Sequence, residues 1–137
     1  MATSREAYVD TSAFIAFMDA SDSHHPLFAR LFADPPRLCT TSLVVLEGHG
    51  WFLRRFDRSR ALGFLAMIEA LTPLTILPIG PAELTSATAV LRRFSDQNLT
   101  LADAAGLHLM KARRLRSCWS TDHHLRLTGV PLVIDGG

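Results

Sequence analysis

Short apolar runs alternate with longer amphipathic stretches along most of the chain. The predicted strands are residues 7–10, 38–41, 74–79, 117–120 and 132–134. The predicted helices are residues 11–19, 25–33, 43–56, 59–71, 81–94 and 101–115. Strands that alternate with helices in this way favour an α/β domain with a mostly parallel sheet.

Length and composition narrow the class of protein. The 137 residues are 48% hydrophobic and 20% charged, which is enough for a buried core and excludes a disordered or fibrous chain. No apolar run approaches the roughly 18 residues of a membrane span, and charged residues interrupt the first fifteen positions. Two cysteines fit neither a disulfide scaffold nor a zinc site. We therefore expect a soluble cytoplasmic protein.

Aspartates stand where ligands usually bind in parallel sheets. Asp10 ends the first predicted strand, and Asp122 follows the strand predicted over 117–120. Ligands collect beyond the carboxyl ends of such strands, but each residue could equally be a helix N-cap. Asp103 borders the apolar side of its predicted helix, yet Thr100 to Asp103 also matches a capping box. Position alone leaves both interpretations open.

Glu47 is the most informative acid. It lies one turn after Leu43 and one turn before Trp51, which places it within the apolar stripe of its predicted helix. A carboxylate on a buried face costs several kcal/mol unless it is paired or binds a metal. The alternative is a side chain at the edge of the stripe that reaches water. The apolar positions of this helix include Leu43, Val44, Leu46, Trp51 and Leu53.

Acids at these positions could converge on one cleft. Four neighbouring carboxylates would repel one another, and a divalent cation relieves that repulsion. Ligation by oxygen alone favours Mg²⁺ or Mn²⁺. The predicted ligands, called the four acids below, are Asp10, Glu47, Asp103 and Asp122.

Five segments of the chain also match, in order, the motifs of a known family. They are YVDTSAFIA at 8–16, DASDSHHPLFA at 19–29, TTSLVVLEGHGWFLRR at 40–55, LTLADAAGLHLMKA at 99–112 and STDHHL at 120–125. The chain thereby resembles the PIN-domain ribonucleases, and more specifically the VapC-type toxins of type II (VapBC) toxin–antitoxin systems. The resemblance implies a single PIN-like domain over residues 1–137, built as a three-layer α/β/α sandwich with a mostly parallel central sheet.

The same resemblance implies an activity and partners. The four acids match the catalytic and metal-binding positions, and Thr11 or Ser12 matches a hydroxyl that could orient a water molecule at the metal. The implied activity is Mg²⁺- or Mn²⁺-dependent hydrolysis of RNA phosphodiester bonds. The implied partners are the RNA substrate, a VapB-like antitoxin lying across the acidic cleft, and a second copy in a homodimer.

The segment that contains the fourth acid, residues 120–125, departs from the family pattern, which often reads Thr-x-Asp followed by an aromatic residue. Here the segment reads Ser120-Thr121-Asp122, and Leu125 stands in the aromatic region. This departure puts Asp122 in question among the four acids. His123 and His124 occupy positions that vary in the family. We interpret both as exposed loop residues, and a metal-ligand role is the alternative.

Two other functions are compatible with the sequence. A PIN-like fold could bind RNA or a protein without cleaving RNA, and metal affinity without cleavage would favour that function. A Mg²⁺-dependent phosphohydrolase for small molecules, of the haloacid dehalogenase-like type, would need Asp-x-Asp in its nucleophile loop. Ser12 stands at the second acidic position of that pattern.

Overall fold

The computed structural model describes residues 4–136, so residues 1–3 and 137 of the predicted domain lie outside the described residues. The strands are β1 (Ser4–Val9), β2 (Leu38–Thr41), β3 (Leu74–Leu77) and β4 (Leu115–Trp119). The α-helices are α1 (Thr11–Met18), α2 (His25–Ala33), α3 (Ser42–Arg55), α4 (Arg58–Ala70), α5 (Pro81–Arg93) and α6 (Leu101–Ala112). Two short 3₁₀ helices follow at His123–Thr128 and Val133–Asp135. In this part of the chain, no helix has the length and apolar content needed to cross a membrane.

Helices cover both faces of the sheet. Tyr8 and Val9 are successive strand residues and so point to opposite faces, and Val9 pairs with Trp119. A Cβ atom at Gly106 of α6 would lie 2.6 Å from the Tyr8 hydroxyl oxygen, so α6 covers the face that carries Tyr8. Phe32 of α2 packs against Trp119, with ring centroids 5.0 Å apart, and so covers the other face. The predicted three-layer α/β/α sandwich is confirmed.

The order of the strands identifies where a ligand would bind. The sheet is entirely parallel, with strand order β3-β2-β1-β4. The chain moves from β1 through β2 to β3, and then returns across the sheet to place β4 on the other side of β1. In open parallel sheets, ligands bind beyond the carboxyl ends of the strands at such a reversal. The region just after Val9 and Trp119 is therefore the expected site.

The helix predicted over residues 101–115 is shorter than expected. It ends at Ala112, because Arg114 adopts a left-handed conformation with φ of 54°, which an α-helix does not accommodate. The next residue, Leu115, begins β4. The backbone therefore reverses direction where the apolar pattern alone would continue the helix.

Two predicted strands also differ in the structure. The strand predicted over 74–79 ends at Leu77. Leu77 pairs with Thr41, which is the last residue of β2 before α3 begins. The strand predicted over 132–134 is wrong. Leu132 forms a single bridge to β4, and the residues after it enter a 3₁₀ helix.

The face that α3 buries differs from the predicted stripe. Leu46 and Leu53, two of the predicted apolar positions, are 69% and 46% exposed. Val44 is buried as predicted, and the other buried residues of α3 are Gly48 and Phe52. Gly48 allows this close approach, because a Cβ atom there would lie 2.4 Å from the ring of Phe64 on α4.

The contact at Gly48 generates a stability prediction. Phe64 is buried between other rings, so we expect Gly48→Ala to force a rearrangement that destabilises the protein by about 1–3 kcal/mol. Gly63→Ala is the matched control, since nothing lies within 4 Å of a Cβ atom there. It should stabilise α4 by about 0.5–1 kcal/mol. Urea denaturation measures both changes, and equal stability of the two variants would contradict the packing described here.

Candidate metal centre

Asp10 lies at the expected position, immediately beyond the carboxyl end of β1. Its backbone N–H donates to the carbonyl oxygen of Trp119 at 3.0 Å, which ties it to the end of β4. Its side chain is buried, with the residue only 3% exposed. The hydroxyl groups of Ser12 and Ser120 both donate to its Oδ2 atom, each at 3.0 Å. These two donors fix the orientation of the carboxylate.

The same two serines also hold the chain after β4. The N–H of Thr121 donates to Ser12 Oγ, and the N–H of Asp122 donates to Ser120 Oγ, both at 2.9 Å. Ser120 therefore connects Asp10 to Asp122, and we assign it a positioning role that the sequence did not suggest. The available signal was its place two residues before Asp122, where the resembled family often has threonine.

Asp103 combines the two interpretations that the sequence left open. It forms the predicted capping box, in which its Oδ2 atom accepts the N–H of Thr100 and its own N–H donates to Thr100 Oγ1, both at 3.0 Å. It is also buried at the end of α6 that faces the other acids, with 6% exposure. The cap therefore fixes this carboxylate beside the sheet edge rather than in solvent.

Burial and mutual repulsion set the protonation of these groups. Burial, followed by the negative charge of Asp103, raises the pKa of Asp10 from 3.8 to about 6, against the lowering effect of its serine donors. Burial also raises the pKa of Asp103, and the charge of Asp122 adds to that rise, while hydrogen bonds from Thr100 oppose it. The three aspartates therefore lie close enough to oppose one another's ionisation.

Glu47 is linked to the site by a hydrogen bond from the hydroxyl of Thr11. It is half-buried on α3, and its Oε1 atom accepts a hydrogen bond of 2.6 Å from the hydroxyl of Thr11. Within residues 4–136, Glu47 forms no salt bridge with a basic side chain. Thr11 follows Asp10 directly, so the hydrogen bond joins α3 to the start of α1 beside the other acids.

Asp122 caps the short helix that begins at His123. Its Oδ1 atom accepts the backbone N–H of His124 at 3.0 Å, and the imidazole Nδ1 of His124 lies 3.0 Å from the same oxygen. His123 is exposed as expected and His124 is partly buried, and both lie in the 3₁₀ helix rather than in an irregular loop. Potential ligand atoms of Asp103, Asp122 and His124 all lie within 4.8 Å of one another.

The donor set fits a hard divalent cation. Asp103 and Asp122 belong to this compact group together with His124, and Asp10 and Glu47 are not members of it. Asp10 is nonetheless coupled electrostatically to Asp103. Within residues 4–136, no lysine or arginine forms a salt bridge with these aspartates. Carboxylate oxygens with one imidazole nitrogen are suitable ligands for Mg²⁺ or Mn²⁺.

Comparison with known proteins supports the fold and its family. The sequence profile of the PIN domain matches residues 7–130. No curated protein matches the sequence significantly.

Among solved structures, VapC20 of Mycobacterium tuberculosis, described as a sarcin-ricin loop cleaving toxin, is similar, with a TM-score of 0.82 and 24% identity over 91% of this chain and 96% of that chain. A toxin–antitoxin complex from Klebsiella pneumoniae gives a TM-score of 0.61 and 20% identity over 93% and 95% of the two chains. VapBC2 from Rickettsia felis, bound to a DNA fragment from their promoter, gives 0.60 and 10% identity over 93% and 96%.

The raised pKa of Asp10 predicts how stability depends on pH. The folded state holds this proton more tightly than the unfolded state, so stability falls as pH rises from about 4 through about 6. Asp10→Asn removes the charge and can retain the hydrogen bonds from the two serines. In EDTA we expect this variant to exceed the wild type in free energy of unfolding by about 3 kcal/mol at pH 7.5, and by far less at pH 4.

Urea denaturation of both proteins between pH 4 and pH 7.5 measures this difference. A difference that stays constant over that range would show that Asp10 ionises in the folded protein as it does in the unfolded chain.

Proposed function

Because this chain belongs to the PIN-domain family, we propose that it is a metal-dependent endoribonuclease and the VapC-type toxin of a toxin–antitoxin pair. The observation that carries the proposal is the convergence of Asp10, Asp103 and Asp122 where β1 and β4 end. The similar fold of VapC20, whose description names cleavage of the sarcin-ricin loop, supports RNA as the substrate. Hydrolysis of a phosphodiester bond by such a site needs no serine, cysteine or histidine nucleophile.

The proposed cofactor is Mg²⁺ or Mn²⁺, and the four acids are its proposed ligands. A bound ion of this kind stabilises negative charge on phosphoryl oxygens and promotes ionisation of water. The chain fixes three of the acids before any ion arrives, since hydroxyl groups donate to Asp10 and Glu47 and the backbone N–H of Thr100 donates to Asp103, at distances of 2.6–3.0 Å. Such preorganisation reduces the rearrangement that binding of ion and substrate would require.

Thr11 and Ser12 act as positioning residues in this proposal. The resemblance assigns to one of them the orientation of a water molecule. The hydroxyl of Thr11 donates to Glu47, and that of Ser12 donates to Asp10. Each hydroxyl oxygen also has acceptor lone pairs, so these contacts are compatible with the orientation of a water molecule. The phosphohydrolase alternative is disfavoured because Ser12, rather than a second acid, stands at position 12.

A protein partner is the second part of the proposal. Leu46 lies beside Glu47 on α3, and Leu53 lies two turns further along the same helix. Both are exposed, and apolar side chains that share one exposed helix face favour contact with another protein. We assign this face to the antitoxin because it continues from the acidic site, and we retain a homodimer as the expected assembly of the toxin itself.

Loss of cleavage on neutralising one acid tests the nuclease directly. A mixed RNA pool is incubated with purified protein in Mg²⁺, in Mn²⁺ and in EDTA. We expect cleavage with either ion and none in EDTA. Asp103→Asn should reduce the rate by at least about 100-fold, because it removes charge from the metal site. Asparagine can still accept the N–H of Thr100, so the capping contact is retained in part.

Asp34→Asn is the matched control, since Asp34 is an exposed aspartate at the end of α2. It should cleave RNA at the wild-type rate. If wild type and Asp103→Asn behave alike across several classes of RNA, the nuclease assignment is wrong. Metal affinity that persists without any cleavage would instead favour a PIN-like module that binds RNA or protein.

A further inference from the structure

We propose that His124 is a ligand of the divalent cation at this site, beside Asp103 and Asp122, and that its imidazole shifts the preference of the site from Mg²⁺ towards Mn²⁺. The inference rests on the metal dependence proposed above. It starts from the compact group of three potential ligand atoms, which lie within 4.8 Å of one another. Of these three side chains, His124 alone offers nitrogen rather than oxygen.

The separation of Asp122 and His124 suits two neighbouring ligands of one ion. Oδ1 of Asp122 and Nδ1 of His124 are 3.0 Å apart. Ligands at about 2.1 Å from an octahedral ion are about 3.0 Å apart when adjacent and about 4.2 Å apart when opposite. The limit of 4.8 Å that includes Asp103 slightly exceeds this range, so a small shift brings all three side chains onto one ion.

The local fold does not need the imidazole for capping. The backbone N–H of His124 already donates to Asp122 Oδ1 at 3.0 Å, which satisfies the start of the 3₁₀ helix. The side chains of His124 and Asp122 are 39% and 33% exposed, so an ion from solvent can reach both. Asp103 is buried, and its capping box fixes the position of its carboxylate.

The chemistry of the ligand atoms determines which ion binds more tightly. Mg²⁺ is a hard cation that takes oxygen ligands and dehydrates reluctantly. Imidazole suits transition-metal ions, whereas carboxylates accept both Mg²⁺ and Mn²⁺. A nitrogen ligand in a set of carboxylates therefore favours Mn²⁺ without excluding Mg²⁺. A fourth acid alone would give no such discrimination.

Electron spin-echo spectroscopy of Mn²⁺ bound to the full chain, without RNA, tests the contact itself. We expect the nitrogen coupling of a directly bound imidazole in the wild type. His124→Ala should abolish the coupling, and His123→Ala, at the exposed neighbour, should retain it.

Titration of the same proteins should show that His124→Ala weakens Mn²⁺ binding by at least about 10-fold and Mg²⁺ binding by no more than about 3-fold. His124→Gln is the second variant if His124→Ala does not fold.

Absence of nitrogen coupling in the wild type, or its persistence without His124, overturns the proposal. Equal weakening for the two ions also overturns it, because His124 would then only orient Asp122. RNA cleavage by the same preparations separates this proposal from the nuclease assignment. Cleavage without nitrogen coupling retains the nuclease and rejects the ligand, whereas nitrogen coupling without cleavage retains the ligand and rejects the nuclease.

Discussion

Burial of neighbouring carboxylates at the carboxyl edge of the sheet is the constraint on which the rest of the site depends. Removing an ionised carboxylate from water is costly, and a second negative charge nearby adds to the cost. Asp10 and Asp103 are only 3% and 6% exposed. Their donors are neutral hydroxyl and backbone groups, which orient the charges without cancelling them. The fold thereby accumulates negative charge that a cation can neutralise.

A buried acid elsewhere in the protein shows the contrast. Glu6, on β1 near its amino end, is 5% exposed, and Arg113 donates to its Oε1 atom through Nη2 at 2.7 Å and Nε at 3.2 Å. There the chain supplies its own cation, as buried charges usually require. At the opposite end of the same strand, Asp10 has no such partner among the side chains that the structure describes. The two ends of β1 therefore differ: one has a structural ion pair, and the other has the proposed binding site.

The sequence predicted which acids form the candidate site better than it predicted the hydrogen bonds that hold them. Strand ends marked Asp10 and Asp122 as candidates, but position alone left a capping role open for both and for Asp103. The family resemblance assigned all three to one site. The role of Ser120 could not be predicted, since its hydroxyl meets a carboxylate 110 positions earlier in the chain. The proximity of His124 to Asp103 could not be predicted either, because the two residues belong to different elements.

The prediction of which face of α3 is buried was wrong for a related reason. Counting apolar residues treats every leucine as a core position, but helix packing depends on the partner surface. Gly48 allows the ring of Phe64 to approach the backbone, so the face of α3 that carries Gly48 is buried and Leu46 is exposed. A glycine carries little weight in a hydrophobic pattern, yet here it decides which face is buried. The exposed stripe that results is the surface assigned above to a protein partner.

Anomalous X-ray scattering from crystals soaked in Mn²⁺ would test the central claim most directly, because it locates the ion without reference to activity. The account predicts a peak within ligand distance of Asp103 and Asp122, beyond the ends of β1 and β4. A well-occupied peak elsewhere, or no peak at this edge at saturating Mn²⁺, would contradict it. The carboxylates would then be buried for a reason other than metal binding.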